Sequence, residues 1–206
     1  METSAPSTTP PILKNFAREG IAFGKSRADC SSEQIDDLLS ICEETRNVPG
    51  CIVEVGSWKC GTTICMAADD PSREVFALDL FGGLPYPDQK EFLNFGDTDF
   101  EEISEAVSAY PNIHLVRGLH EYTVPMFATH RKPIALLFMD SDFYSSHLVS
   151  LANFWPLLSI GGIAVFHDFS FEGVRKAIED VIPKEQYAWR QLGWMGALKK
   201  IVKLVP

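Results

Sequence analysis

The sequence predicts an α/β fold: a mostly parallel sheet with helices on both faces and an antiparallel hairpin at its C-terminal end. Three observations lead there. Strand-like apolar runs alternate with longer amphipathic segments along the chain, the pattern of successive βα units. The runs are nearly continuous in apolar residues, which fits strands covered on both faces. The chain has 206 residues, 46% hydrophobic and 22% charged, enough for one domain with a full-sized core.

The elements follow in order. Residues 1–33 read as an N-terminal arm and lid, in which AREGIAFGKSRADC (17–30) holds a short helix, and 34–206 read as a single domain. CIVEVG (51–56) is a buried strand and TTICMAADD (62–70) the helix after it. EVFALDL (74–80) is the second strand. EEISEAVSAY (101–110) is helical and Pro111 ends it. NIHLVRG (112–118) and IALLFMD (134–140) are the third and fourth strands. SSHLVSLANFWPLL (145–158) is a helix whose last turn Pro156 kinks or ends. GGIAVFHD (161–168) is the fifth strand, opened by a glycine turn. FEGVRKAIEDVI (171–182) spaces Phe171, Val174, Ile178 and Val181 on one helix face. The tail turns back on itself near Gly193 or Gly196 as a hairpin. Segment 84–100 is rich in proline, aromatics and acids and longer than an ordinary connection, as lids and binding loops are.

Charge narrows the partners. A formal net charge of -10 offers no footprint for a phosphate backbone or an anionic lipid surface, so neither nucleic acid nor membrane is expected. The longest apolar run, IALLFM, stops at Asp140, well short of the ~20 residues of a spanning helix. METSAPSTTPP has neither the basic stretch nor the apolar core of a secretory signal. Five cysteines without a CxxC pair argue against a disulfide framework or zinc knuckle, and a reducing cytoplasm is the expected location.

The turn EVGSWKCGTT (54–63) joins the first strand to its helix, the usual place for a nucleotide-like ligand. A dinucleotide fingerprint needs a second glycine there for close approach to the pyrophosphate. Trp58 occupies that slot, so a nicotinamide dinucleotide fits badly; a Walker GK[ST] ending is also missing. A cofactor without phosphate escapes the demand, and S-adenosylmethionine is the expected one. Glu54 would attract its ammonium, directly or through water; the backbone near Gly56 and Gly61 would take its carboxylate; Asp79, closing the second strand, would accept the ribose hydroxyls. Ser57, Trp58, Thr62, Leu80, Phe81, Gly118 and Asp140, at the same strand ends, complete the expected pocket. A tight turn without ligand, and an ordinary loop acid at 79, are the plainer alternatives.

The fourth strand ends MDSDFYSS and the fifth ends FHDF, which would bring Asp140, Asp142, His167 and Asp168 to one rim. Crowded acids repel unless a cation or hydrogen bonds offset them. One solution is a divalent ion, Mg2+ for an oxygen-rich set or a transition ion where a histidine takes part. The other is metal-free, with Asp142, His167 or His147 as general base. Either would ready an acceptor for in-line displacement at the sulfonium methyl. Asp142 as a helix cap, His147 as a packed helix residue, and Cys60 and Cys65 as small packing residues are the plainer readings. Trp58 either shapes the cofactor mouth or packs the turn. Phe92, Phe95 and Phe100 suit an acceptor pocket or the seam of a homodimer.

These stretches resemble the macrocin O-methyltransferase family, within the Rossmann-like class I S-adenosylmethionine-dependent methyltransferases. VPGCIVEVGSWKCGTT is similar to the family's VPG-x-x-VE-x-G-x-W-x-x-G opening, and LDLFGGLPYPD to its D-x-F-x-GLP-x-PD segment. RGLHEYTVP, MDSDFYSS, GGIAVFHDF, GVRKAIEDV and GWMG match further stretches, so that the likeness spans about residues 48–200. The resemblance implies O-methylation of a small-molecule hydroxyl, often on a sugar of a natural product, with Mg2+. By position it implies Asp140, His167 and Asp168 as metal ligands and Asp142 as base. His167 stands where the family pattern has an aspartate, and imidazole is a poor partner for Mg2+. Two other readings stay open: a metal-independent N- or carboxyl-methyltransferase, and a non-catalytic nucleoside-binding subunit.

Overall fold

The computed structural model describes residues 11–83 and 95–201, with side chains from residue 16 onward. Two helices, α1 (Pro11–Lys25) and α2 (Ser32–Glu44), precede the sheet. There follow β1 (Cys51–Val55), α3 (Gly61–Asp69), β2 (Val75–Asp79), α4 (Phe100–Val107), β3 (Ile113–Arg117) and α5 (His120–Ala128). The second half holds β4 (Ile134–Met139), α6 (Tyr144–Phe154), β5 (Leu158–Phe166), α7 (Glu172–Val181), β6 (Tyr187–Leu192) and β7 (Met195–Lys200).

The strands form one sheet in the order β3-β2-β1-β4-β5-β7-β6. β7 runs antiparallel to both β5 and β6, and the other neighbouring pairs are parallel. The expected hairpin is therefore present, with its second strand inserted against β5. Gly193 turns the hairpin at φ +54°. Strand order reverses between β1 and β4, and the crevice above their carboxyl ends is where open α/β sheets take ligands.

Period-two alternation sorts each central strand between two cores. Ile52, Leu136, Phe138, Ile163 and Val165 face the layer of α2, α3 and α4. Val53, Val55, Met139, Ala164 and Phe166 face α5, α6 and α7. Each large side chain fully removed from water contributes roughly 1.5–3 kcal/mol, which is why β1 and β4, buried at every position, anchor the site above them. Glu54 is the one charged residue in β1. It faces α3 and is itself fully buried.

The N-terminal segment is more structured than the expected short helix in an arm. α1 lies against α3, where a Cβ at Gly20 would meet that of Ala68 at 2.6 Å and one at Gly24 would meet the Cys65 sulfur at 2.5 Å. α2 was not foreseen; Ser31 caps it through a reciprocal box with Gln34. α5 was also missed, because Pro125 inside it reads as a helix breaker. α4 ends at Val107, earlier than expected; the restriction from Pro111 reaches only Tyr110, the residue before it. α6 ends at Phe154, ahead of Pro156. β5 begins at Leu158, so the two glycines lie inside it. There Gly161 takes φ +81°, and a Cβ on Gly162 would meet the Ala135 carbonyl oxygen at 3.0 Å. Among the described residues no helix is long and apolar enough to cross a membrane, and all five cysteines are buried free thiols.

Candidate active site

One cleft opens at the switch point, lined by the ends of β1, β2, β4 and β5 and by the loop before α2. Its floor is set by two glycines whose need the chain itself explains. Gly56 has φ +86°, and a Cβ there would lie 1.9 Å from the Asp140 carbonyl oxygen. The ends of β1 and β4 can touch only because that position is bare. A Cβ on Gly61 would lie 2.3 Å from the Ala28 backbone nitrogen. Gly61 thus seats the 26–31 loop on the start of α3. Both glycines shape the cleft by letting backbone meet backbone, a role beyond the carboxylate cradle expected from sequence.

Asp79 ties the turn to β2. Its Oδ2 accepts the backbone N–H groups of Ser57 at 2.7 Å and Trp58 at 2.9 Å, and its Oδ1 accepts that of Phe81 at 2.7 Å. Trp58 and Phe81 both sit at positive φ, 45° and 49°. Such left-handed backbone persists only where surrounding bonds hold it, and the Asp79 carboxylate supplies them. Trp58 stands at the mouth. Its indole N–H donates to Asp97 at 3.1 Å, the Lys59 ammonium lies 4.3 Å from its ring, and Phe95 meets it edge-on at 5.6 Å.

The acidic rim converges as expected. Asp140 follows β4, and its Oδ1 lies 3.0 Å from His167 Nδ1. Asp168 Oδ1 lies 3.4 Å from the same nitrogen, and Asp168 Oδ2 is buried without a hydrogen-bond partner. Burial pushes Asp140 above the usual carboxylate range. The opposite holds for His167: burial disfavours its charged form, but hydrogen bonds to Asp140 and Asp168 outweigh this and raise its proton affinity far above that of ordinary histidine. Asp142 takes φ +59° and faces the cleft. Burial first, then the charges of Asp168 and Asp140, push its carboxyl up to about 7. It does not cap α6, whose N-cap is Phe143 with no side-chain cap bond.

The cleft brings together Gly56, Ser57, Trp58, Gly61, Thr62, Asp79, Leu80, Asp140, Asp142, His167 and Asp168. Four expected residues lie behind it. Glu54 is turned into α3, its two oxygens taking the hydroxyls of Thr62 and Thr63, and burial raises its carboxyl to about 8. Phe81 packs in the core against Phe100 at 5.6 Å. Gly118 donates its backbone N–H to the Asp79 carbonyl oxygen at 2.9 Å. His147 is fully buried, with Nδ1 3.0 Å from the Phe143 carbonyl oxygen, and burial lowers its proton affinity. Phe95 lines the cleft, Phe100 opens α4, and Phe92 lies outside the described residues.

Sequence reasoning missed Cys30, His120 and Phe171, all of which line the cleft. Cys30 reaches it from the far end of the chain, its Sγ 3.9 Å from Asp140 Oδ2. No local motif joins residues so distant in sequence. The only advance signal was Gly61, whose bare backbone admits the loop that carries Cys30.

This strand order and cleft define a Rossmann-like α/β fold, and solved structures share it. The O-methyltransferase NovP superposes with a TM-score of 0.76 at 20% identity, covering 93% of this chain and 98% of that one. MycE methyltransferase from the mycinamycin pathway, in complex with Mg, SAH and mycinamycin VI, superposes at 0.60 with 13% identity, covering 95% of this chain and 56% of that one. The macrocin-O-methyltransferase (TylF) family pattern matches residues 23–188, and the chain belongs to that family. One curated relative, 8-demethyl-8-(2,3-dimethoxy-alpha-L-rhamnosyl)-tetracenomycin-C 4'-O-methyltransferase of Streptomyces olivaceus, is 29% identical over 167 residues, 70% of this chain and 63% of the relative. The match spans less than two thirds of the length of each curated relative compared, at 63%, 61% and 60%.

Proposed function

We propose that the chain is an S-adenosylmethionine-dependent methyltransferase that alkylates a hydroxyl of a small molecule, of the natural-product or sugar type that its relatives' names describe. The observation that carries this reading is the cleft itself: a turn without a pyrophosphate cradle, tethered by Asp79, faces an acidic rim across the switch point. Trp58 in place of a glycine fits a nucleoside without phosphates. Asp79, Leu80 and the Ser57–Trp58 turn would hold it, with Phe95 and Trp58 closing the mouth. When bound, the cofactor supplies a methyl group on cationic sulfur, already an excellent leaving group.

The protein's contribution is then orientation and deprotonation. Asp142 accepts the acceptor's hydroxyl proton as the oxygen–methyl bond forms and the sulfur–methyl bond breaks, with the electron pair left on sulfur. A carboxyl held near 7 suits that role, since the base form is populated at neutral pH while its proton affinity stays high. The donor set does not fit Mg2+, which prefers oxygen ligands: an imidazole and a thiol stand beside Asp140.

Methyl transfer from labelled cofactor to a panel of hydroxylated metabolites tests the proposal. Label appearing as an ether on at least one acceptor supports it. Label on nitrogen or carboxylate acceptors alone would move the chain to a different methyltransferase class, and cofactor binding without turnover would make it a binding subunit.

A further inference from the structure

Cys30, Asp140 and His167 come from three separate parts of the chain, yet Sγ, a carboxylate oxygen and an imidazole nitrogen all lie within 4.8 Å of one another. From the facing donors of this cluster we infer a mixed sulfur, oxygen and nitrogen site for a borderline divalent transition ion of the Zn2+ class, with Cys30 as a ligand. The inference stands whether or not the chain transfers methyl groups.

Three observations carry it. The spacing brackets what a metal needs: Sγ lies 3.9 Å from one Asp140 oxygen and His167 Nδ1 lies 3.0 Å from the other, so movements of a few tenths of an ångström bring them to ligand separations. Ligand atoms around a tetrahedral Zn2+ are separated by about 3.3–3.8 Å, given metal bonds of about 2.0–2.3 Å. The chemistry is right too. Thiolate and imidazole select Zn2+ and its neighbours over Mg2+, which demands oxygen and octahedral geometry. Charge agrees as well: a thiolate, a carboxylate and a neutral imidazole balance one dication, with the thiol proton and the Nδ1 proton of His167 both released to solvent. The same dication would relieve the repulsion among Asp140, Asp142 and Asp168, one oxygen of which is buried without a partner.

The surrounding structure holds the cluster in place. Gly61 admits the loop that carries Cys30. Ser31, the next residue, caps α2 and donates its N–H to Gln34 Oε1 at 2.8 Å. That leaves the Gln34 amide nitrogen 2.9 Å from His167 Nε2. With Nδ1 on an ion, Nε2 carries the proton, and Gln34 then turns its oxygen from the Ser31 N–H to the ring, exchanging half of the capping box for the histidine. Outer partners of this kind orient a ligating histidine.

Cobalt is the probe. Co2+ is titrated into the metal-stripped full chain and followed by absorption. The expected result is one equivalent bound, with a thiolate-to-cobalt charge-transfer band that Zn2+ abolishes and a large excess of Mg2+ leaves intact. Cys30→Ser should remove the band and weaken Zn2+ by at least about 100-fold, beyond the 10–100-fold that outer partners command, while Cys42→Ser keeps both. His167→Asp should shift preference toward Mg2+, and it tests the site separately if Cys30→Ser fails to fold. Co2+ bound without the band, displacement by Mg2+, or no binding at all would overturn the inference.

Discussion

The Asp79 carboxylate accepts the Ser57 backbone N–H at 2.7 Å, joining the end of β2 to the turn after β1. With Trp58 and Phe81 as further donors, one side chain organises the backbone on both sides of the cleft floor. The residue assigned to the cofactor ribose is also the residue that builds the ribose site.

Asp79→Ala should therefore destabilise the protein even without ligand. A hydrogen bond to a charged acceptor contributes about 1.5–3 kcal/mol, and three are lost together. Urea unfolding is expected to show a loss of several kcal/mol, with Asp79→Asn in between. Unchanged unfolding midpoints would mean that the turn holds itself.

Gly56→Ala should be among the most damaging single-methyl changes in the chain. The new Cβ would meet backbone, the Asp140 carbonyl oxygen at 1.9 Å, so no side chain can swing aside. Overpacking costs typically 1–3 kcal/mol, and strained backbone adds about as much. A stable variant with an intact cleft would contradict the close contact between β1 and β4.

Glu54 gives a pH signature. Its folded-state carboxyl titrates at about 8, raised by burial from 4.5. The raised value means that its contribution to stability is full below the unfolded pKa and is lost as pH rises through about 8. At 1.36 kcal/mol for each pH unit, the loss across that window is on the order of 4–5 kcal/mol. Glu54→Gln should flatten the curve and be the more stable protein at pH 8.5, measured by urea unfolding. Parallel curves for the two proteins would remove Glu54 as the cause.

Asp142 sets the expected rate profile. Its base form is the competent one, so kcat/KM should rise through about pH 7 and then level off. Asp142→Asn should lower kcat by about 10²–10⁴-fold while cofactor binding is kept. A variant with normal turnover would pass the proton to another group.

Much of the fold was legible because each central strand is a nearly pure apolar run and the final helix, α7, has a clear face. What escaped was local context. Pro125 interrupts the helical pattern of α5, whereas the Ser31–Gln34 capping box that starts α2 stands in the sequence as S-x-x-Q. At the site, Asp79, Asp140, Asp142, His167 and Asp168 were readable as strand-end acids and imidazole. The inward turn of Glu54 depends on Thr62 and Thr63 packing above it. The arrival of Cys30 depends on how closely a loop can approach Gly61. Both are tertiary facts that strand and helix periodicity do not encode.

The central claim is that this cleft takes a phosphate-free sulfonium nucleoside against Asp79. Calorimetric titration of S-adenosylmethionine into the full chain, with Asp79→Asn alongside, tests it most directly. One equivalent should bind to the wild type, and the variant should bind about 10-fold or more weakly, the scale of a lost charged hydrogen bond. No heat with the wild type, or equal affinity in both proteins, would contradict the account.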